Sequence, residues 1–229
     1  MPTAMRTTLP SSVSLHRPRT SLRSSKAFLG SKSALASSRC IRLARGRSVA
    51  VQRRNICLAQ LGIFFSTSTG HTEDIASLIK EELGDGASDP ADIGETELSK
   101  SKDFDGLVVG APTWNTDCDT ERSGTNWDGI LEDIKGVDLK NKPVAVFGLG
   151  DAVGYSEYFC DAMEEIYSTF KAAGAKMIGH WPADGYEHEG SKALLDDGTF
   201  CGLPLDEDNQ DDMSADRIKK WVEQLKSEM

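Results

Sequence analysis

The sequence lacks any apolar run long enough to cross a membrane, and it lacks the continuous apolar core of a secretory signal. We therefore expect no membrane insertion. It also lacks a Cys-x-x-Cys pair or a Cys/His cluster with metal-ligand spacing, so iron–sulfur and zinc chemistry are not supported. Beyond the N-terminal region the cysteines are odd in number, and we expect all of them to be free thiols: Cys118, Cys160 and Cys201.

Acidic residues are missing from the first part of the chain. Residues 1–58 hold 12 of the 26 Lys and Arg residues, 15 Ser and Thr residues and none of the 36 Asp and Glu residues. This composition is typical of a plastid or mitochondrial transit peptide. We interpret residues 1–58 as a disordered transit peptide cleaved near Arg54–Leu58, and a basic tail that binds nucleic acid is the alternative. Residues 59–229 then form one domain of ordinary size.

Basic residues are scarce in the remainder of the chain. Residues 59–229 carry 14 Lys and Arg residues against 36 Asp and Glu residues, a net charge of −22. Such a charge argues against nucleic acid or an anionic membrane surface as a partner. It favours a positively charged protein that is reached by electrostatic steering, and solubility alone is the alternative explanation.

Short apolar runs alternate with amphipathic segments along residues 59–229. The runs predict strands at Leu61–Phe65, Asp105–Trp114, Lys142–Asp151 and Ala175–Trp181, with a weak strand near Ala87–Ile93. Helical spacing of apolar residues follows the first strand, spans residues 159–170 and returns near the C-terminus. The alternation predicts a doubly wound α/β fold with a five-stranded parallel sheet covered on both faces. Ligands bind at the carboxyl ends of such strands, where the loops gather.

The loop Ser66–Thr72 contains no lysine or arginine, and it matches neither the P-loop motif nor G-x-G-x-x-G. Five of its seven residues nevertheless carry a hydroxyl group, and it leads into a predicted helix, whose unpaired N–H groups suit a phosphate. An ordinary Ser/Thr helix cap is the alternative. The candidate phosphate-binding residues are Ser66, Thr67, Ser68, Thr69, Gly70, His71 and Thr72. A phosphate held by neutral donors keeps its negative charge, which disfavours adding an electron nearby.

Two further loops carry aromatic residues at positions where a loop side chain is expected to be exposed. Trp114 follows the second apolar run and Tyr155 follows the third, so two flat side chains are expected beside the phosphate loop. A Trp packed in the core or anchored at the surface is the alternative for Trp114. Together the loops predict a site for a planar ring attached to a phosphate. The candidate residues in these loops are Pro112, Thr113, Trp114, Asn115, Thr116, Gly148, Leu149, Gly150, Asp151 and Tyr155.

These motifs together closely resemble those of flavodoxins, small FMN electron carriers, across residues 61–229. Thr67-x-Thr69-Gly70-x-Thr72 is similar to the family's FMN-phosphate loop, and Trp114 and Tyr155 are similar to the residues that cover the two faces of the flavin. The segment Asp184–Gln210 resembles the insertion of long-chain, algal and plastid-type members. The resemblance implies a sheet of order 2-1-3-4-5 whose last strand is interrupted by that insertion.

The chain departs from the family pattern in three places. His71 stands where many relatives have Lys or Asn, and Thr116 stands where some have a larger apolar residue. The loop Asn115–Asn126 is longer than in typical cyanobacterial forms. The loop around Thr116 is therefore expected to set the flavin potentials differently. His71 either titrates near neutral pH beside the phosphate or is an indifferent exposed histidine.

The resemblance implies a low-potential one-electron carrier, not an enzyme, in which FMN alternates between semiquinone and hydroquinone. Negative charge around the ring disfavours the anionic hydroquinone. By the same resemblance, the backbone of Asn115–Thr116 accepts a hydrogen bond from the reduced flavin, that of Gly150–Asp151 contacts the pyrimidine edge, and Asp208 lies near the ribityl chain. The acids that are candidates for docking a basic partner are Asp119, Glu121, Asp206, Glu207 and Asp208. A solvated acidic face without specific contacts is the alternative for each of them.

With a plastid presequence, the resemblance implies a monomer in the chloroplast stroma that replaces ferredoxin. It would carry electrons from photosystem I to ferredoxin–NADP⁺ reductase. A location in mitochondria is the alternative. A flavodoxin-like NAD(P)H-dependent quinone or FMN reductase is the alternative; it needs an open flavin face, which Trp114 and Tyr155 disfavour. A phosphate-accepting receiver domain without flavin needs an acidic Mg²⁺ cluster after the first strand, where Ser66–Thr69 stand instead.

Overall fold

The computed structural model describes residues 60–229, apart from the side chain of Leu98. The predicted transit peptide, its cleavage near Arg54–Leu58 and the start of the domain at residue 59 lie outside the described residues. No helix within the described range is both long and apolar enough to cross a membrane.

A parallel sheet forms the centre of the domain, as the apolar runs predict. Its strands are β1 (Leu61–Phe65), β2 (Ala91–Asp92), β3 (Gly106–Pro112), β4 (Pro143–Leu149) and β5 (Lys176–Ile178). They lie in the order β2-β1-β3-β4-β5, which confirms the predicted fold class and strand order. β1 and β3 are buried along their whole length because helices cover both faces of the sheet.

The predicted weak strand is β2, which pairs with β1 through only two residues, Phe64 with Ala91 and Phe65 with Asp92. One isolated parallel bridge, between Leu61 and Ala87, precedes it. Pro90 lies between the bridge and the strand and has no N–H group to donate, which accounts for the interruption.

The last strand position is divided between two segments, as predicted. β5 pairs with the first half of β4, and β8 (Leu203–Leu205) pairs in parallel with the second half of β4, at Phe147–Leu149. Between them, β6 (Trp181–Pro182) and β7 (Thr199–Phe200) form a small antiparallel pair. The predicted bounds of the insertion, Asp184–Gln210, are wrong because the chain leaves the sheet after Ile178 and is back in it at Leu203.

Two pairs of helices cover the sheet. α1 (His71–Leu83) and α4 (Asp211–Glu228) pack on one face, and α2 (Asn126–Lys135) and α3 (Ala162–Ala172) pack on the other. The sequence analysis did not predict α2, although its buried residues Trp127, Leu131 and Ile134 recur at helical spacing. Four fully or almost fully buried aromatic residues anchor the two core clusters: Phe170, Phe147, Trp127 and Trp221.

Candidate functional site

The loops that follow β1, β3, β4 and β8 border a cleft of about 350 Å³ at the carboxyl end of the sheet. This volume lies in the range of small-molecule sites, roughly 300–1,000 Å³. The residues that line the cleft are Thr69, His71, Thr72, Pro112, Thr113, Trp114, Thr116, Leu149, Gly150, Asp151, Tyr155, Tyr158, Glu207 and Asp208. All of them except Tyr158 and Glu207 belong to the set predicted from the sequence.

Internal hydrogen bonds shape the hydroxyl-rich loop after β1. Ser66 is fully buried; its N–H donates to the carbonyl of Gly110 at 3.2 Å, and its Oγ accepts from the N–H of Asn126 at 3.3 Å. Thr67 Oγ1 accepts the N–H of Gly70 at 2.9 Å. Gly70 caps α1 with a left-handed φ of 99°, and no side chain caps the helix. An ordinary Ser/Thr cap, the alternative interpretation of this loop, is therefore wrong.

The start of α1 presents donors that the helix does not use. The first α1 amide with a helical acceptor is that of Asp74, which donates to the carbonyl of Gly70 at 3.0 Å. The N–H groups of His71, Thr72 and Glu73 precede it and have no acceptor within the helix. Thr72 Oγ1 is buried and has no hydrogen-bond partner among the described residues, although Thr72 lines the cleft. Because an unmade buried hydrogen bond costs about 1–3 kcal/mol, this hydroxyl is a donor available to an oxygen atom bound in the cleft.

The described lining of the cleft offers hydrogen-bond donors to an anion but no lysine or arginine side chain. It contains three carboxylates, those of Asp151, Glu207 and Asp208. An anion bound here would be held by N–H and O–H dipoles and by the positive end of α1. Its charge would therefore remain unneutralised next to whatever else the cleft holds.

Two aromatic side chains stand open at the cleft. Trp114 is 52% exposed and Tyr155 is 58% exposed, whereas Trp127 and Trp221 are fully buried. The alternative interpretation of Trp114 as a core residue is therefore wrong. Because exposed apolar side chains that cluster around a groove mark ligand-binding sites, two such rings at one cleft indicate a flat ligand between or beside them.

Asp151 organises the loop that carries Tyr155. Its Oδ1 accepts hydrogen bonds from the N–H groups of Val153 at 3.0 Å and Gly154 at 2.6 Å, and from Asn209 Nδ2 at 2.8 Å. The hydrogen bond from Gly154 is the largest cause that lowers the pKa of Asp151 below its ordinary value. A Cβ on Gly154 would lie 2.2 Å from Asp151 Oδ2, so a larger residue there would displace this carboxylate.

Asp206 joins this loop to the segment after β8. It is fully buried, its Oδ2 accepts the N–H of Ala152 at 3.0 Å, and its Oδ1 accepts those of Asp208 at 3.1 Å and Asn209 at 3.0 Å. The prediction that Asp206 docks a partner is wrong because no part of the side chain reaches the surface. The other candidate docking acids are exposed or half-buried: Asp119, Glu121, Glu207 and Asp208.

Several predicted site residues support the cleft without lining it. A Cβ on Gly148 would lie 2.2 Å from Cγ of Met163, so this glycine serves the packing of α3 against β4. Asn115 Nδ2 donates to the carbonyl of Glu121 at 2.6 Å and closes its own loop. The predicted residues that do not line the cleft are Ser66, Thr67, Ser68, Gly70, Asn115 and Gly148.

The sequence analysis did not place two of the lining residues at the cleft: it named Glu207 only as a docking acid and did not name Tyr158. Tyr158 is placed there by the 3₁₀ turn Ser156–Tyr158, and Glu207 is placed there by the short connection between β8 and α4. Neither residue stands in a motif, and only the position of Glu207 beside the predicted Asp208 offered a signal.

The three cysteines of the described region are free, as predicted. Cys118 is exposed, and Cys160 and Cys201 are buried. Burial raises the pKa of the Cys160 thiol well above its ordinary value and that of Cys201 to about 12. The two buried thiols are therefore protonated structural residues.

Comparison with known proteins agrees with this geometry. Residues 63–221 match the family model described as Flavodoxin. The chain is 41% identical over 175 residues to Flavodoxin 1 of Salmonella typhimurium, covering 75% of this chain and 96% of that protein. It is 41% identical over 169 residues to a flavodoxin of Nostoc sp., covering 74% and 96%.

Among solved structures, the flavodoxin of Fusobacterium nucleatum bound to flavin mononucleotide is 28% identical and superimposes with a TM-score of 0.68. The alignment covers 75% of this chain and 99% of that one. Because the family match spans most of the described domain, and the identity extends over nearly the whole length of these relatives, the chain belongs to the flavodoxin family.

Proposed function

We propose that the protein is a low-potential one-electron carrier that binds FMN in this cleft. The observation that carries the proposal is the buried, unpartnered hydroxyl of Thr72 beside the free amides of α1, together with two half-exposed aromatic rings. The hydroxyl and the amides fit the phosphate of FMN, and the two aromatic side chains fit its flavin ring. When bound, FMN supplies a flavin that accepts and releases electrons one at a time.

The residues of the cleft have distinct tasks in this proposal. Thr69, Thr72 and the first amides of α1 hold the phosphate without neutralising it. Trp114 and Tyr155 lie against the ring, exclude water and lower the local dielectric constant. Carboxylates at Asp151 and Asp208 add negative charge to the lining. This combination opposes the addition of negative charge to the ring, so the carrier is a strong reductant.

The first experiment is anaerobic, stepwise reduction of the purified, FMN-loaded protein, followed by its absorbance spectrum. We expect uptake of FMN and two separate one-electron steps. A single two-electron step driven by NADPH alone would instead identify a flavodoxin-like NAD(P)H-dependent reductase. A protein that takes up no FMN would refute both functions and leave only the family membership.

We further propose photosystem I as the electron donor and ferredoxin–NADP⁺ reductase as the acceptor, in the chloroplast stroma. The net charge of −22 in residues 59–229 supports basic partners, and the composition of residues 1–58 supports import into a plastid. Asp119, Glu121 and Asp208 are exposed acids available for docking. The second-order rate of electron transfer to the reductase should fall as salt is added, because salt screens the attraction.

Import assays test the proposed chloroplast location separately from the electron transfer. The full chain should enter isolated chloroplasts and be shortened there to a product that begins near Arg54–Leu58, as N-terminal sequencing would show. Import into mitochondria alone would refute the chloroplast assignment without affecting the proposed electron transfer.

A further inference from the structure

The loop that follows β3 closes upon itself through the backbone of Arg122. The carbonyl of Arg122 accepts the N–H groups of both Trp114 and Asn115, each at 3.2 Å. Gly124, with φ of 63°, passes so close that a Cβ there would lie 2.8 Å from the Cβ of Trp114. The main chain that carries Trp114 is therefore held by the main chain of Arg122.

The side chain of Arg122 attaches this closed loop to α3. Nη1 donates to the carbonyl of Asp161 at 2.9 Å, Nη2 forms an ion pair with Glu164, and Nε lies 3.6 Å from Oε2 of Glu165. The residue is 5% exposed, so the ion pairs lie largely out of water. α3 packs in the core against β4, and it thus offers a rigid support for the loop.

Glu165 completes the attachment from the other side. Its two carboxylate oxygens accept the backbone N–H groups of Glu121 and Arg122, both at 2.9 Å. Main chain and side chain of Arg122 are therefore both bound to the first turn of α3. Lys192 adds a weaker tie, because its Nζ donates to the carbonyl of Cys118 at 2.9 Å but is itself exposed.

Charge makes Arg122 necessary in this place. It is the only basic residue between Thr113 and Thr125, a stretch that also carries Asp117, Asp119 and Glu121. Asp119 and Glu121 border the same groove as Glu164 and Glu165, the two acids in the first turn of α3. Without the guanidinium group, Glu164 and Glu165 would face the acidic loop with no cation between them, and the like charges would repel one another.

We propose that Arg122 is the positioning residue for Trp114, holding that ring at the cleft by fixing its loop to α3. Arg122 does not line the cleft, so it acts only through the loop. The inference rests on the proposed function as far as FMN is concerned, but the attachment of the loop is a property of the protein alone.

The test compares Arg122→Gln and Arg122→Lys with Lys135→Gln as a matched control. Lys135 is an exposed cation at the end of α2, paired with Glu132, and it borders the same groove between α2 and α3 as Arg122 does. Hydrogen–deuterium exchange of the Trp114 and Asn115 amides, measured without FMN, reports the attachment itself. We expect about tenfold faster exchange in Arg122→Gln, a smaller increase in Arg122→Lys and no change in the control.

FMN affinity is then measured for Arg122→Gln in the wild-type and in the Trp114→Ala background. If Arg122 acts through Trp114, its substitution should weaken FMN binding about tenfold in the first background and less than about twofold in the second. An equal loss in both backgrounds, or unchanged amide exchange, would overturn the proposal. A chain that binds no FMN would refute the proposed function, and the exchange measurement would still decide the role of Arg122.

Should Arg122→Gln fail to fold, as judged by circular dichroism, Glu164→Gln replaces it in both measurements. This change removes the charge of a partially exposed partner of Arg122 and leaves the buried guanidinium in place. The expected direction is the same, with smaller effects because Glu165 still holds the loop.

Discussion

Asp206 Oδ2 accepts the backbone N–H of Ala152 at 3.0 Å, and this hydrogen bond joins two loops that are 54 residues apart in sequence. The carboxylate is completely buried, and its other oxygen accepts the N–H groups of Asp208 and Asn209. Tyr155 stands on the first of these loops and Asp208 on the second, so one buried acid sets the spacing of two parts of the cleft lining.

We expect Asp206→Asn to destabilise the protein. An amide in place of the carboxylate can accept from Asp208 and Asn209, but its NH₂ group would then face the N–H of Ala152. Leaving a buried donor unpaired costs about 1–3 kcal/mol, which urea unfolding would measure. The matched control is Asp216→Asn, an exposed position on α4, where the free energy of unfolding should change by less than about 0.5 kcal/mol. Equal effects at the two positions would contradict the structural role of Asp206.

We expect Thr72→Val to separate phosphate binding from stability. The substitution removes a buried hydroxyl that has no partner in the described structure, so the protein without ligand should be as stable as the wild type or more stable. FMN should bind about tenfold more weakly, because one hydrogen bond to the phosphate is lost. Riboflavin has no phosphate and should bind with unchanged affinity, and an equal loss for both ligands would contradict the assignment.

Thr67→Val is the matched comparison within the same loop. Thr67 Oγ1 already accepts the N–H of Gly70, so its loss should lower the stability of the protein without ligand. In urea unfolding without FMN, Thr67→Val should therefore lower the free energy of unfolding, whereas Thr72→Val should leave it unchanged or raise it.

We expect the three thiols of the described region to differ sharply in reactivity. With a pKa of about 12, Cys201 is ionised in only about one molecule in ten thousand at pH 8, and Cys160 is shifted in the same direction. Iodoacetamide should modify Cys118 in the native protein and reach the other two only after unfolding. Peptide mapping by mass spectrometry resolves each site, and modification of native Cys201 would contradict its burial.

We expect Asp151 to contribute stability that depends on pH. Its hydrogen bonds lower the native pKa below the ordinary value of 3.8, so the contribution is complete above that value. It is lost as the pH falls through the lowered native pKa. Asp151→Asn keeps an acceptor oxygen but cannot titrate. The free energy of unfolding in urea should be measured for both proteins at pH 6 and near pH 3. The difference in this free energy between wild type and variant should be smaller at the lower pH, and an unchanged difference would contradict the prediction.

The pattern of apolar and polar residues along the chain was sufficient to predict the fold class and much of the cleft lining. Apolar runs separated by helical segments require a parallel sheet, and parallel strands bring the loops after β1, β3 and β4 to one end. Thr72, Trp114 and Tyr155 were therefore identifiable from their places after strands. The resemblance to flavodoxins added the strand order and the interruption of the last strand, both of which the structure contains.

Only the tertiary structure decided which polar residues are buried and what they hold. Asp206 and Arg122 stand in acidic, polar stretches that locally resemble solvent-exposed loops, and each has a partner about forty or more residues away along the chain. The points at which the chain leaves the sheet after β5 and returns to it at β8, and the packing role of Gly148, likewise depend on how distant segments meet. Sequence periodicity reports which face of an element is apolar, whereas a buried charge is stable only where folding brings its partners to it.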